Sequence, residues 1–471
     1  MAALAIHLPT LSQPLLEVHP FRQTHTAWTA LLYHEQGIDL LHPMVPVVGP
    51  PFLQPWEFPL FEALASLVMD AGVAPDTAMR ATGLAMYLLT ALLLWGLVSR
   101  LFGKAAGLLA LLTFLLTPLG LLWSRTSMIE YLATAAGVGY VAFSLLWHER
   151  GWRWWYVAAI VAGSVAMLVK GTTGVLYVLP VAALGVERWQ ERHGAARLGP
   201  RYAAAIIVLL AAPLALGVAW TVYADFIKMQ SPFTVDLVGL TSLRAWYFGS
   251  AEQELDFHQW ADFLSRANGL LLGGAGWLWI PLAVIAAAVH PRRLLAFALL
   301  AGAVLGPLIF TNQYFVNDYY LAAISPIVAA GLGAGASWLW AQREGRLSRV
   351  VALSLAVAWV LTALGLRQYW LVQFRGVSDP EHALAAAHVI AAESRTDELV
   401  VVTGRLWYDP AALYYARRKG LVVPEDYLNE ILGPQPLLRL RELGYGKLFD
   451  CPLGLPVGCD RVIDLAAEQG H

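Results

Sequence analysis

Long apolar runs alternate with polar connections along most of the chain. Crossing about 30 Å of hydrocarbon takes roughly 17–25 apolar residues in a helix. Ten runs read this way: 79–99, 105–122, 131–147, 155–171, 173–186, 202–222, 269–289, 294–311, 320–340 and 350–368. The run at 173–186 is short and begins at Gly171–Gly174, which predicts a tilted or broken helix. The connections between runs fall into two alternating groups. One carries Arg100, Lys104, Arg150, Arg153, Arg188, Arg192, Arg197, Arg201, Arg292, Arg293, Arg343, Arg346 and Arg349. Basic residues concentrate in cytoplasmic loops, so this group is assigned to the cytoplasm. The long segments 1–78, 223–268 and 369–471 are then expected outside. Residues 1–16 are too short, and too interrupted by Pro9 and Pro14, to span. An outside start therefore predicts a transmembrane helix encoded ahead of Met1; the competing reading is an interfacial segment.

The outside segments have patterns of their own. Residues 19–35 read as an amphipathic helix with Trp28, Leu31 and Leu32 on one side, and 59–70 as a second. Between them lies the turn-rich stretch LLHPMVPVVGPPFLQPWEF. Two such helices flanking a loop are expected to lie in the membrane interface. From about residue 376 the pattern changes. Helix is predicted at 380–393, 410–418 and, broken, 425–441; strand is predicted at 398–403, 421–423 and 445–449. This alternation predicts a small α/β domain at 376–471, outside the membrane, after a helical membrane domain at 1–375 whose first outside loop is 12–78.

Composition supports a bilayer as the solvent. Of 471 residues, 58 % are hydrophobic and 14 % charged, against about 25 % charged in soluble domains. Disorder is excluded by the same numbers. The formal charge of −2 leaves no basic surplus for nucleic-acid binding. Cys451 and Cys459, the only cysteines, both fall in the polar tail; a disulfide and two free thiols stay open. The five histidines of the first outside segment, His7, His19, His25, His34 and His42, match no compact metal signature. No metal-ligating residue is assigned, and a divalent cation is the one cofactor left open.

Ionisable groups within or beside membrane spans are costly, so each is a functional candidate. Span counting brings Arg22, Glu57, Arg125, Glu130, Lys170 and Asp318 to one membrane face. Arginine and lysine there suit a lipid-linked phosphate, and a carboxylate suits deprotonation of an acceptor hydroxyl. Blander readings run alongside. Glu130 would cap its helix or pair with Arg125, Arg22 would pair with Glu17 or Glu57, and Lys170 would snorkel. Gly331, Gly333 and Gly335 lie inside a span and read as close helix packing.

These residues carry a resemblance. FRQTHTAWTA, EFPLFEAL, SRTSMIE, LVKGTTGVLYVLP, NDYYLAAISPIVA and, in the tail, LYYARRKG resemble the GT-C membrane glycosyltransferases. The nearer likeness is to glycosyltransferase family 39, the protein O-mannosyltransferase-like and aminoarabinose-transferase-like group. The resemblance implies an inverting enzyme of about 10–11 transmembrane helices with interfacial helices and a periplasmic tail, in a bacterial inner membrane. It also implies a polyprenyl-phosphate-linked sugar donor, an acidic base in the first outside loop, and a lipid, glycan or protein acceptor. Many members carry an Asp-Glu pair where this chain has Arg22 and Gln23, so the base is expected at Glu57, with Glu17 next. By the same resemblance Lys170 binds the donor phosphate and Glu130 is the acid of the second outside loop, a second catalytic candidate; the charges of Arg22 and Arg125 at the same face make them further candidates for the phosphate. Trp56, Asp318, Tyr319 and Tyr320 are expected to contact substrate. The competing class, a transporter or flippase of lipid-linked substrates, lacks an inverted repeat in its support.

Overall fold

The computed structural model describes residues 8–191, 200–272, 276, 279–342, 350, 353, 360, 364, 380–404, 408–452 and 458–465. Most of the expected span 350–368, the boundary at 375/376, and Arg192, Arg197, Arg343, Arg346 and Arg349 lie outside the described residues. The chain forms two compact units. The first holds residues 1–9, 81–221 and 243–371; the second holds 10–80, 222–242 and 372–471.

The first unit is helical. Three described helices are long and apolar enough to cross a membrane: Pro75–Phe102, which enters from the second unit, Pro200–Lys228, which ends in it, and Asp318–Ala341. Shorter apolar helices run at Lys104–Leu116, Arg153–Val169, Trp279–Val289 and Arg293–Ile309. Helix Glu130–Arg150 has 21 residues and ends on Gly151, whose left-handed φ of 70° suits a helix C-terminus. The expected span 105–122 is divided. Pro118 cannot continue the hydrogen-bond ladder, so a new helix, Pro118–Trp123, starts there, with the Thr117 hydroxyl accepting from Gly120 N–H. The expected break at residues 171–174 is present, as the short helix Gly171–Gly174.

The three glycines of Leu321–Ala341 pack as their spacing suggested. A Cβ on Gly333 would lie 2.5 Å from Ala106 O, and one on Gly335 2.9 Å from Leu282 C. Gly331 faces Leu300 and Ala283. Gly331 and Gly335, four residues apart, share one face toward Trp279–Val289; Gly333 turns to Lys104–Leu116.

The second unit is α/β. Strands β1 (Leu399–Thr403), β2 (Gly420–Val422), β3 (Tyr445–Asp450) and β4 (Arg461–Asp464) form one sheet in the order β2-β1-β3-β4. The first three are parallel and β4 is antiparallel to β3. Helices Pro380–Glu393, Ala411–Ala416, Glu425–Leu432 and Pro436–Glu442 interleave with them, close to the pattern expected of the tail. The strand β4 was not expected. Cys451 and Cys459 are disulfide-bonded. The outer edge of β2 is covered by the first segment: Gly420 N–H donates to Pro46 O, and Val422 N–H to Val47 O.

Helix Pro20–Gln36 departs from the amphipathic expectation. It is buried on every face from Gln23 to Tyr33. Its polar residues are short and find partners, which removes the cost of burying them. Thr24 and Thr26 hydroxyls donate to Pro20 O and Arg22 O, Thr29 to Met44 O, and the Gln23 amide to Val18 O. Helix Leu60–Asp70 packs beside it.

Candidate functional site

Within the first unit the candidates gather around Lys170. This residue ends helix Arg153–Val169 and starts Gly171–Gly174, with extended backbone (φ −158°, ψ 92°). Its carbonyl accepts from Thr173 and Gly174 N–H, so the break is held by main-chain bonds. Next to it, Gly171 is exposed, and a Cβ there would meet nothing within 4 Å. The Lys170 side chain turns inward and is only 3 % exposed. Its Nζ donates to Glu130 Oε1 at 2.5 Å. The ammonium also lies 3.9 Å from the Tyr320 ring centre and 5.0 Å from that of Tyr319. Aromatic faces attract a cation, more so when water is excluded. Trp123 packs edge-on against Tyr319 at 5.6 Å.

Glu130 is the first residue of its helix, where the dipole favours a carboxylate. Its Oε2 is buried with no hydrogen-bond partner among the described residues. Arg125 lies in the buried turn before it, between Ser124 and Thr126. That turn presses on helix Pro75–Phe102, for a Cβ on Gly83 would lie 2.5 Å from Thr126 O. Asp318 is buried at the start of the Asp318–Tyr320 turn. Burial pulls the Arg266 guanidinium below its ordinary value and the charge of Asp318 opposes this. Arg266 in turn donates to Tyr314 O and Phe315 O, fixing the chain ahead of Asp318.

Within the second unit Arg22 Nη2 donates to Glu57 Oε1 at 2.5 Å, with the carboxylate 29 % exposed. Glu57 follows a pinned loop: His25 Nε2 lies 3.2 Å from Gln54 Oε1, and the Thr29 hydroxyl holds Met44 O. Burial, and then the Arg22 charge, push His25 down from 6.5 to about 3, so it is neutral. Glu17 is the partner of Arg80 instead, at 2.6 Å, with the guanidinium also donating to Gln13 O and Pro14 O. Arg22 thus has Glu57, one of its two expected partners, within bonding distance. Glu130 in turn pairs with Lys170, a partner the sequence did not suggest.

Sequence reasoning missed one pair. Lys228, at the end of Pro200–Lys228, bonds Asp225 at 2.8 Å and sits 4.9 Å from the Trp56 ring centre. Asp225 accepts from Gly239 and Leu240 N–H. A signal existed: like Lys170, Lys228 is a rare lysine at the end of an apolar run, three residues after an acid. Among the described residues, no three His, Cys, Asp or Glu gather as metal ligands would.

Residues 53–220 match the model of the dolichyl-phosphate-mannose-protein mannosyltransferase family. No curated protein matches the chain. Solved structures share its fold. ArnT from Cupriavidus metallidurans, bound to undecaprenyl phosphate, is 17 % identical, with a TM-score of 0.65 over 95 % of this chain and 91 % of that one. The archaeal oligosaccharyltransferase AglB from Archaeoglobus fulgidus, in complex with an inhibitory peptide and a dolichol-phosphate, is 13 % identical, with a TM-score of 0.59 over 93 % of this chain and 66 % of that one. The arabinofuranosyltransferase AftD from Mycobacteria is 15 % identical, with a TM-score of 0.56 over 95 % and 34 %. In fold the chain is similar to these three glycosyltransferases. Over residues 53–220 it is also similar in sequence to the protein mannosyltransferases.

Proposed function

We propose that the chain moves a sugar from a polyprenyl-phosphate carrier to a lipid, glycan or protein acceptor, at the periplasmic face of a bacterial inner membrane. An acceptor hydroxyl attacks the anomeric carbon from the side opposite the phosphate. The bond from that carbon to the phosphate oxygen breaks, and polyprenyl phosphate leaves with the electron pair. The anomeric configuration inverts. Glu57 takes the acceptor proton, and Arg22 holds its carboxylate in one orientation. Lys170 and Arg125 bind the donor phosphate and stabilise its growing charge as it leaves. Glu130 fixes the Lys170 ammonium, and Tyr319 and Tyr320 cover it. Trp56 and Asp318 contact the sugar.

The observation that carries this reading is a buried lysine, held at a helix break beside an open glycine, inside the segment that matches the mannosyltransferase family. The test uses the full-length protein in nanodiscs with undecaprenyl-phosphate-linked sugars. Release of undecaprenyl phosphate and an inverted anomeric signal by NMR are expected. Turnover of nucleotide sugars, with none of the polyprenyl-phosphate sugars, would sink the proposal.

A further inference from the structure

A second charged cluster lies within the first unit, away from the Lys170 pair. Arg100, His148, Glu149, Arg188 and Arg292 line a cavity of about 600 Å³. They come from four elements far apart in sequence: the last turn of Pro75–Phe102, the last turn of Glu130–Arg150, helix Val178–Glu191, and the residue before Arg293–Ile309. Glu149 is shared. Its Oε2 accepts from Arg100 Nε and its Oε1 lies 3.2 Å from Arg292 Nη1. Two guanidiniums thus share one carboxylate, and Arg188 and His148 line the same cavity beside them.

Its depth in the bilayer follows from one helix. Glu130 opens, and Glu149 nearly closes, the 21-residue helix Glu130–Arg150. At 1.5 Å per residue that helix is about 30 Å long, the thickness of the hydrocarbon core. The arginine cavity and the Lys170–Glu130 pair therefore lie near the two ends of that helix, about one hydrocarbon thickness apart. Tryptophans mark the level of the cavity: Trp152, Trp154 and Trp189 are 58 %, 80 % and 48 % exposed and flank its helices in sequence. Exposed tryptophan collects where headgroups meet acyl chains. The arginine planar fork matches phosphate oxygens two at a time.

We infer that this cavity binds the headgroup phosphate of an anionic phospholipid from the leaflet opposite the candidate active site. Basic pockets between membrane helices are suited to such headgroups. The test reconstitutes the full-length protein into phosphatidylcholine nanodiscs doped with phosphatidylglycerol, extracts it in mild detergent, and counts retained lipids by native mass spectrometry. The parent should retain phosphatidylglycerol in preference to phosphatidylcholine. The triple variant Arg100→Gln, Arg188→Gln, Arg292→Gln should lose that retention by ~10-fold or more. Glu149→Gln, which removes the competing carboxylate, should raise it, an outcome misfolding cannot mimic. Equal retention by parent and triple variant overturns the inference, as does unchanged or lowered retention by Glu149→Gln. A parent that binds inorganic phosphate yet shows no preference between the two lipids overturns it too.

Discussion

At the scale of single residues, burial changes what a substitution at Lys170 tests. A charge that loses its buried partner is destabilising by about 3–5 kcal/mol, and Glu130 is only 4 % exposed. Lys170→Met should therefore lower the melting temperature as well as donor affinity. Adding Glu130→Gln should restore much of the stability without restoring donor binding; full recovery of both, measured by calorimetry and lipid-phosphate titration, would remove Lys170 from the donor site. Glu57 differs, being partly exposed beside Arg22. Glu57→Gln should leave stability within about 1 kcal/mol and lower turnover by ~10² or more, the scale of a lost general base. Unchanged turnover would leave the base elsewhere. His25 sets a pH dependence. Its folded value of about 3 lies below the ordinary 6.5, so in acid the unfolded chain takes up a proton that the folded one refuses. Stability should fall as pH drops from about 6.5 toward about 3, by up to ~1.4 kcal/mol per pH unit. His25→Gln should flatten that slope in thermal melts. The candidates themselves were legible in the sequence, because an ionisable group at the end of an apolar run stands out. Their partners were not, since Lys170 and Glu130 are 40 residues apart and nothing along the chain marks them as neighbours.

At the scale of elements, periodicity located the helices and most of the tail. It misjudged the surroundings of Pro20–Gln36, whose threonines and glutamine read as a wet face. They are buried because each reaches a nearby carbonyl, a bond that hydropathy does not register. Strand β4 escaped notice for another reason. Arg461–Asp464 is short and its residues are exposed or half-buried, so only pairing with β3 defines it. The Ser124–Ile129 turn is where an element-level change should reach the chemistry. Gly83 admits Thr126 O closer than any side chain allows. Gly83→Ala should cost about 1–3 kcal/mol by overpacking and displace Arg125. If Arg125 binds the donor phosphate, the donor KM should rise more than stability alone explains; an unchanged KM in a folded variant would argue against that role.

At the scale of the molecule, span counting captured the helical character but not the division into units. Residues 10–80 and 222–242 cluster with the tail, and linear patterns carry no trace of such grouping. Trp28 packs on Tyr414 at 5.7 Å, and Asp76 accepts from both Tyr414 and Tyr415. A chain ending after Leu371 should thus leave residues 10–80 open to limited proteolysis while helix Glu130–Arg150 stays protected; equal protection of both would show that the first segment folds without the tail. The contact between Leu15 N–H and the Tyr415 hydroxyl joins positions 400 residues apart. At about 5–20 residues per second, the ribosome needs roughly 20–80 s to make the second partner after the first. For that interval the early segment, with its tryptophan and its row of threonines, has been made while the chain that will cover it is still message. Its quality control is therefore a matter of timing, and a mutation that slows elongation anywhere in the intervening stretch would lengthen its exposure without altering a single contact in the finished fold.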